Sequence, residues 1–284
     1  MPADLHVHTT ASDGTLTPEQ TVREAALVGM EAVGIADHDT IAGIEPALAV
    51  GHEAGIIVVP AVEINTDFGS NEMHILGYYI NCASTSLNEN LERLRAGRLE
   101  RGRKIVEKLN EIGLNISMDR VQEIASDGAI GRPHIARALV EAGYVRGMGG
   151  AFGKYLVRGA PTYVPRHKLT PFQAVDIILQ AGGVPVLAHP GTNKHDEMIP
   201  QLVEAGIMGI EVYHTDHSSV QAKHYLKIAE KYDLIATGGS DSHGPNNVKT
   251  IQIGSVTCDI SVVHRLRAAS DKVREQLAGR SRSS

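Results

Sequence analysis

Asp4-Leu5-His6-Val7-His8 alternates polar and apolar residues from the start of the chain. On a β-strand this places Asp4, His6 and His8 on one face and Leu5 and Val7 on the other. Asp13 follows in a glycine-containing loop, so three or four nitrogen and oxygen donors fall close together. Such a set suits a divalent cation, although a His-x-His pair alone falls short of the three or more protein ligands such sites use. Whether this strand opens a metal centre depends on whether other strands end in the same residue types.

They do. Apolar runs at 33–36, 56–60, 73–78, 184–188, 207–212 and 234–238 alternate with helical stretches. With the first strand they make seven. Thr17-Pro18-Glu19-Gln20 and Thr170-Pro171-Phe172-Gln173 carry capping-box signatures, Thr40 is positioned to cap a second helix, and Ser218 to open a later one. Glu53-Ala54-Gly55, Gln180-Ala181-Gly182 and Glu204-Ala205-Gly206 each end a helix at glycine just before a buried strand. Continuous apolar strands between helices predict parallel strands covered on both faces. The pattern predicts an α/β fold, a closed or nearly closed barrel of about seven strands, with a small, mainly helical inserted domain. His8, His38, Glu63, His189, Asp241 and His243 lie at or just past strand C-termini, the face on which barrels build active sites.

Residues 81–165 are too long for a βα connection and carry their own helical periodicity. They are read as an inserted lid or substrate-recognition domain between barrel segments 1–80 and 166–284. A helix over 90–112 holds Arg93, Arg95, Arg98, Arg101, Arg103, Lys104 and Lys108 between positions 91 and 110, against Glu92, Glu100 and Glu107. A solvated helix face is the commoner meaning of such a run. Gly131-Arg132-Pro133-His134 is more pointed, because a helix start with a nearby arginine seats phosphate well. Arg132, His134 and Arg103 are therefore candidate substrate ligands.

Composition bounds the alternatives. The 284 residues are 42% hydrophobic and carry a net charge of −6, with 4% aromatics and no Trp, which disfavours a general nucleic-acid binder or a base-stacking platform. Cys82 and Cys258 make neither a disulfide framework nor a thiolate site, and no apolar run approaches the length of a membrane span. A reducing cytoplasm is the expected location, with no membrane association and no protein partner evident.

The segments Asp4–His8, Asp37-His38-Asp39, Glu63, His74, Ala188-His189-Pro190 and Gly239-Ser240-Asp241-Ser242-His243, in this order and spacing, resemble the successive motifs of the PHP (polymerase and histidinol phosphatase) family. The nearest look is to its small stand-alone phosphoesterases, such as the 3′,5′-nucleotide bisphosphate phosphatases. The resemblance implies a distorted (β/α)7 barrel holding three divalent metal ions. His6, His8, Glu63 and Asp241 would hold one, Asp13, His38 and His243 a second, and Glu63 would bridge to a third held also by His74 and His189. Sulfur-free imidazole and carboxylate ligands suit Mn, Zn or Fe, with the many hard carboxylates favouring Mn. The chemistry expected is attack on phosphorus by a metal-activated water, with His214 or His217, just past the sixth strand, protonating the leaving group. Asp4 and Asp37 are expected to orient the ligand histidines. The expected activity is release of the 3′-phosphate from nucleoside 3′,5′-bisphosphates. Alternatives are a phosphodiesterase or 5′–3′ exonuclease on short oligonucleotides or cyclic phosphates, a histidinol-phosphate-type phosphatase, and a non-catalytic metal-binding module.

Overall fold

A computed structural model describes residues 1–69, 71–126, 128–165, 169–193, 195–245 and 250–281. The expected boundary at 166 lies outside the described residues. The chain begins β1 (Pro2–Val7), α1 (Pro18–Leu27), β2 (Ala32–Ile35), α2 (Ile44–Ala54), β3 (Ile57–Phe68) and β4 (Asn71–Tyr78). A helical stretch follows with α3 (Thr85–Glu111), α4 (Met118–Ala125), α5 (Arg132–Glu141) and α6 (Met148–Ala151). The alternation then resumes with α7 (Pro171–Gln180), β5 (Val184–Leu187), α8 (Pro190–Asn193), α9 (Ile199–Glu204) and β6 (Gly209–His214). It ends with α10 (Ser219–Lys231), β7 (Ile235–Gly239), β8 (Cys258–Asp259) and α11 (Ser261–Ser281).

The strands form one sheet in the order β7-β6-β5-β4-β3-β2-β1-β8. It curls into a nearly closed barrel because β1 uses its outer edge twice. The lower half pairs antiparallel with β8, Pro2 opposite Asp259 and Ala3 opposite Cys258. The upper half meets the segment after β7, where Asp241 N–H donates to His6 O at 2.8 Å and His8 N–H to Ser242 O at 2.9 Å. Gly239 permits this closure, since a Cβ there would lie 2.5 Å from the His6 backbone nitrogen.

The expectation of parallel strands fails at β4, which is antiparallel to both β3 and β5. β3 does not stop at the mouth; it runs on to Phe68 and returns as a hairpin, with Phe68 opposite Asn71. The reversal matters for function, because it turns the N-terminal half of β4 towards the mouth and so brings His74 there from within a strand. The capping boxes at Thr17, Thr170 and Ser218 are present. Thr40 does not cap α2; Gly43 holds the N-cap position without a side-chain bond. Val62, Ile64, Ile75, Val175, Ile178 and Leu187 pack between sheet and helices in one apolar cluster. A separate cluster, including Ile105, Leu109, Val121, Ile135 and Leu139, joins helices α3 to α5.

Candidate metal centre

The barrel mouth gathers the expected donors. His6 Nε2 and His8 Nε2 lie 3.2 Å apart. Asp241 Oδ1 is 3.5 Å from the first and 3.0 Å from the second, and Glu63 Oε2 is 3.5 and 3.4 Å from them. Two atoms bonded to one ion at about 2.0–2.2 Å stand at most about 4.4 Å apart; His6, His8 and Asp241 meet that limit pairwise and form one donor group, with Glu63 next to both histidines. Asp13 Oδ1 lies 3.3 Å from His243 Nε2, and His8, Asp13, His38 and His243 form a second donor group. His8 thus faces both groups, one through each edge of its ring. Glu63 Oε1 is 2.7 Å from His74 Nδ1 and 2.9 Å from His189 Nε2, while its Oε2 is 2.7 Å from His38 Nδ1. His38 therefore stands between the second group and Glu63 rather than with Asp13 and His243 alone.

His8 Nδ1 and His74 Nε2 are buried and have no hydrogen-bond partner among the described residues. An unsatisfied buried polar atom costs about 1–3 kcal/mol. Two at one mouth fit a site built to bind cations. The electrostatics agree. Burial alone would raise the carboxyls of Asp13, Glu63 and Asp241, yet the surrounding imidazoles hold all three well below the usual carboxylate range. Burial, helped by His243 and His38, pushes His8 down to about 3, leaving its ring neutral as a ligand must be. Burial opposes charge on His243, but Asp13 outweighs it and lifts that ring to about 10.

Backbone conformation aims the donors. Asp39, His189 and Asp241 occupy the left-handed region at φ 52°, 27° and 55°, each just past a strand. Asp4 and Asp37 do not touch ligand rings, contrary to expectation. Asp4, whose carboxyl burial raises to about 6, accepts the N–H groups of Ser240 and Gly254 and ties β1 to the segment bearing Asp241. Asp37 accepts from Thr9 N–H, the Thr9 hydroxyl and the Ser12 hydroxyl at 2.8, 2.7 and 2.6 Å. It pins the loop between His8 and Asp13.

The proton-donor candidates differ. His214 is buried, its Nδ1 accepts from Asp216 N–H, and its Nε2 lies 3.4 Å from Asp241 Oδ2. His217 donates through Nδ1 to Val212 O and accepts at Nε2 from Gly191 N–H. Both its nitrogens are committed to backbone, which argues against the expected role in proton transfer and makes it a brace for the chain after His189.

The substrate candidates separate likewise. Arg132 reaches Glu72 Oε2 at 3.1 Å, two residues from His74. His134 accepts at Nδ1 from Gly131 N–H and lines a cavity with Asp13, Thr15 and Arg137. Arg103 is exposed. At 100° per residue it lies about 140° around the helix from Arg98, on the outward face. Arg98 is the cation of α3 that enters the site: its Nε donates to Asp39 Oδ2 at 2.6 Å. Asp39 also accepts Asn65 N–H at 2.9 Å, and Asn65 Nδ2 lies 3.0 Å from His38 Nδ1. Arg98, Arg101 and Arg132 line one small cavity. The sequence reading assigned no role to Asp39, Asn65 or Glu211. Inward helical spacing from Leu91 through Arg98 to Ile105 would have singled out Arg98.

Among the described residues no helix is long and apolar enough to cross a membrane. The family model described as PHP domain matches residues 4–153. The chain is 37% identical over 249 residues to the 5′-3′ exoribonuclease Rnm of Escherichia coli, covering 85% of each. It is 35% identical over 248 residues to the 3′,5′-nucleoside bisphosphate phosphatase of Chromobacterium violaceum, covering 85% of this chain and 87% of that one. A solved structure of a candidate metal-dependent phosphoesterase from Bifidobacterium adolescentis superposes with a TM-score of 0.88 at 32% identity, covering 94% of this chain and 96% of that one. With a His, Asp and Glu cluster fit for cations at the mouth of a barrel of that shape, the chain belongs to the PHP domain family and is a metal-dependent phosphoesterase.

Proposed function

We propose that the enzyme removes the 3′-phosphate of nucleoside 3′,5′-bisphosphates, giving the nucleoside 5′-monophosphate and phosphate. The observation that carries this reading is the pair of guanidiniums, Arg98 and Arg132, which α3 and α5 bring to the rim of the donor cluster, Arg98 on Asp39 beside His38 and Arg132 on Glu72 two residues from His74. A substrate gripped at one phosphate by arginine and cleaved at another needs two phosphates. In this reading residues 81–165 form an inserted recognition unit, supported by the apolar cluster that joins α3, α4 and α5.

The metal complement proposed is three divalent ions, with Mn preferred for its affinity for oxygen ligands. His6, His8, Glu63 and Asp241 would hold one; Asp13, His38 and His243 a second; His74, His189 and Glu63 a third. Bound there, such ions supply an activated water near neutral pH and neutralise phosphoryl charge. The chain's own residues orient the rest. Arg98 and Arg132 fix the distal phosphate by paired N–H donors. His214 receives the Asp216 N–H at Nδ1, so its neutral ring carries the proton on Nε2, where it can pass to the departing oxygen.

A second reading rests on the cavity lined by Asp13, His134 and Arg137 beside the donors. A 5′-phosphorylated oligonucleotide shares its first 5′-phosphate, ribose and 3′-phosphoryl group with the bisphosphate and adds one ester, for which this cavity offers room. The test is product analysis with Mn on 3′,5′-bisphosphates, 5′-monophosphates, cyclic nucleotides and a short 5′-phosphorylated RNA. Phosphate release from the bisphosphate, weakened more for it than for a monophosphate by Arg132→Ala, is expected. Exclusive release of nucleoside monophosphates from RNA would replace the first reading with the second.

A further inference from the structure

Glu211 lies in the middle of β6 between Ile210 and Val212 and is fully buried. It is shared by two segments that carry proposed ligands. Its Oε1 accepts from His6 Nδ1 at 3.0 Å, and its Oε2 accepts the backbone N–H of His189 at 2.8 Å. We propose that Glu211 is a positioning residue that dictates which nitrogen of His6 ligates, and that it does so while holding His189 in its left-handed backbone conformation.

A carboxylate can only accept. Facing Nδ1, it keeps the imidazole proton there and leaves the Nε2 lone pair directed at Asp241, Glu63 and His8 Nε2. Its other oxygen is committed to His189 N–H, a donor that cannot reverse. His6, Glu211 and His214 also satisfy the spacing of a metal group. Both carboxylate oxygens are already engaged, however, so ligation by Glu211 would compete with the contacts that orient His6 and His189.

Glutamine tests this because its amide has one acceptor and one donor. The backbone N–H of His189 claims the amide oxygen, and the NH2 group then faces His6 Nδ1. Nδ1 must become the acceptor, the ring proton moves to Nε2, and the nitrogen that would ligate is blocked. Outer contacts of this kind typically change metal affinity by about 10–100-fold.

The inference rests on the reading of His6 as a ligand, so the experiment includes His6→Asn. Metal content per chain is measured by elemental analysis after dialysis against limiting Mn, for wild type, Glu211→Gln and His6→Asn. Histidine tautomers are read from long-range 15N–1H spectra of the Zn-loaded proteins, with the His6 signal assigned by its loss in His6→Asn. One ion fewer in both variants is expected, with His6 protonated at Nδ1 in wild type and at Nε2 in Glu211→Gln. A full ion complement in His6→Asn would overturn the ligand reading. An ion lost from His6→Asn but retained by Glu211→Gln would overturn the role given to Glu211 and leave the ligand reading intact. Should Glu211→Gln not fold, the wild-type spectrum decides: metal on His6 Nδ1 refutes the proposal, and a protonated Nδ1 supports it.

Discussion

Breaking the contact between Arg98 and Asp39 should loosen α3 from the barrel. The Nε–Oδ2 distance is 2.6 Å, and the side chains are only 16% and 3% exposed. At an effective dielectric of about 20, unit charges about 3 Å apart attract by roughly 5–6 kcal/mol. Desolvation takes back much of that, while an exposed pair would retain at most about 1 kcal/mol. Removing one partner of a buried pair costs about 3–5 kcal/mol. Arg98 keeps some solvent contact and Asp39 keeps the Asn65 N–H, so the low end applies. Arg98→Ala is expected to lose about 3 kcal/mol. At about 2–4 °C per kcal/mol for chains of roughly this size, that is a fall in Tm of about 6–12 °C. The assay is a double-mutant cycle of Arg98→Ala and Asp39→Ala by urea unfolding. The expected coupling energy is about 1–3 kcal/mol. A coupling below about 0.5 kcal/mol would refute the reasoning, because the pair would then behave as a solvated surface contact.

Asp37→Ala strips three donors, Thr9 N–H and the Thr9 and Ser12 hydroxyls, of their acceptor. It should cost about 2–4 kcal/mol in urea unfolding and reduce retained Mn, because the loop it pins carries Asp13. Unchanged stability would show that water replaces the carboxylate. Cys258 is buried and its thiol is pushed up to about 12, so the thiolate that reacts is scarce at pH 8. A thiol reagent should titrate one cysteine, the exposed Cys82, in the native protein and two after denaturation. Two fast-reacting thiols in the native state would contradict the burial of Cys258 beside β1.

Most candidate donors are legible in the sequence because they sit in short polar islands at or just past the ends of apolar strands, and three helix starts were legible because a capping box is local chemistry. What failed was of another kind. His74 lies inside its strand rather than at its end, and apolar content does not reveal strand direction; the antiparallel β4 is what brings it to the mouth. Thr40 looked like a cap, but in the loop after β2 the adjoining Asp39 binds Asn65 and Arg98, and α2 starts only at Ile44. Arg98 was one cation of seven on its helix, and its partner lies 59 positions away.

Glu211 shows what kind of signal was left unread. A strand running Gly209-Ile210-Glu211-Val212 between helices has no wet face, so a carboxylate within it must either be paired with buried donors or stay protonated. The sequence therefore posed a question of accounting: which donor answers that charge? Fourteen histidines in a chain of 284 residues narrowed the answer. Only closure of the barrel, which brings positions 6 and 211 to 3.0 Å, selects His6 among them. The pairing reaches beyond stability, because the same bond that satisfies the buried carboxylate chooses the nitrogen His6 presents at the mouth. A core that demanded only neutrality could have placed a leucine there. Glutamate at that position is what a directed imidazole requires.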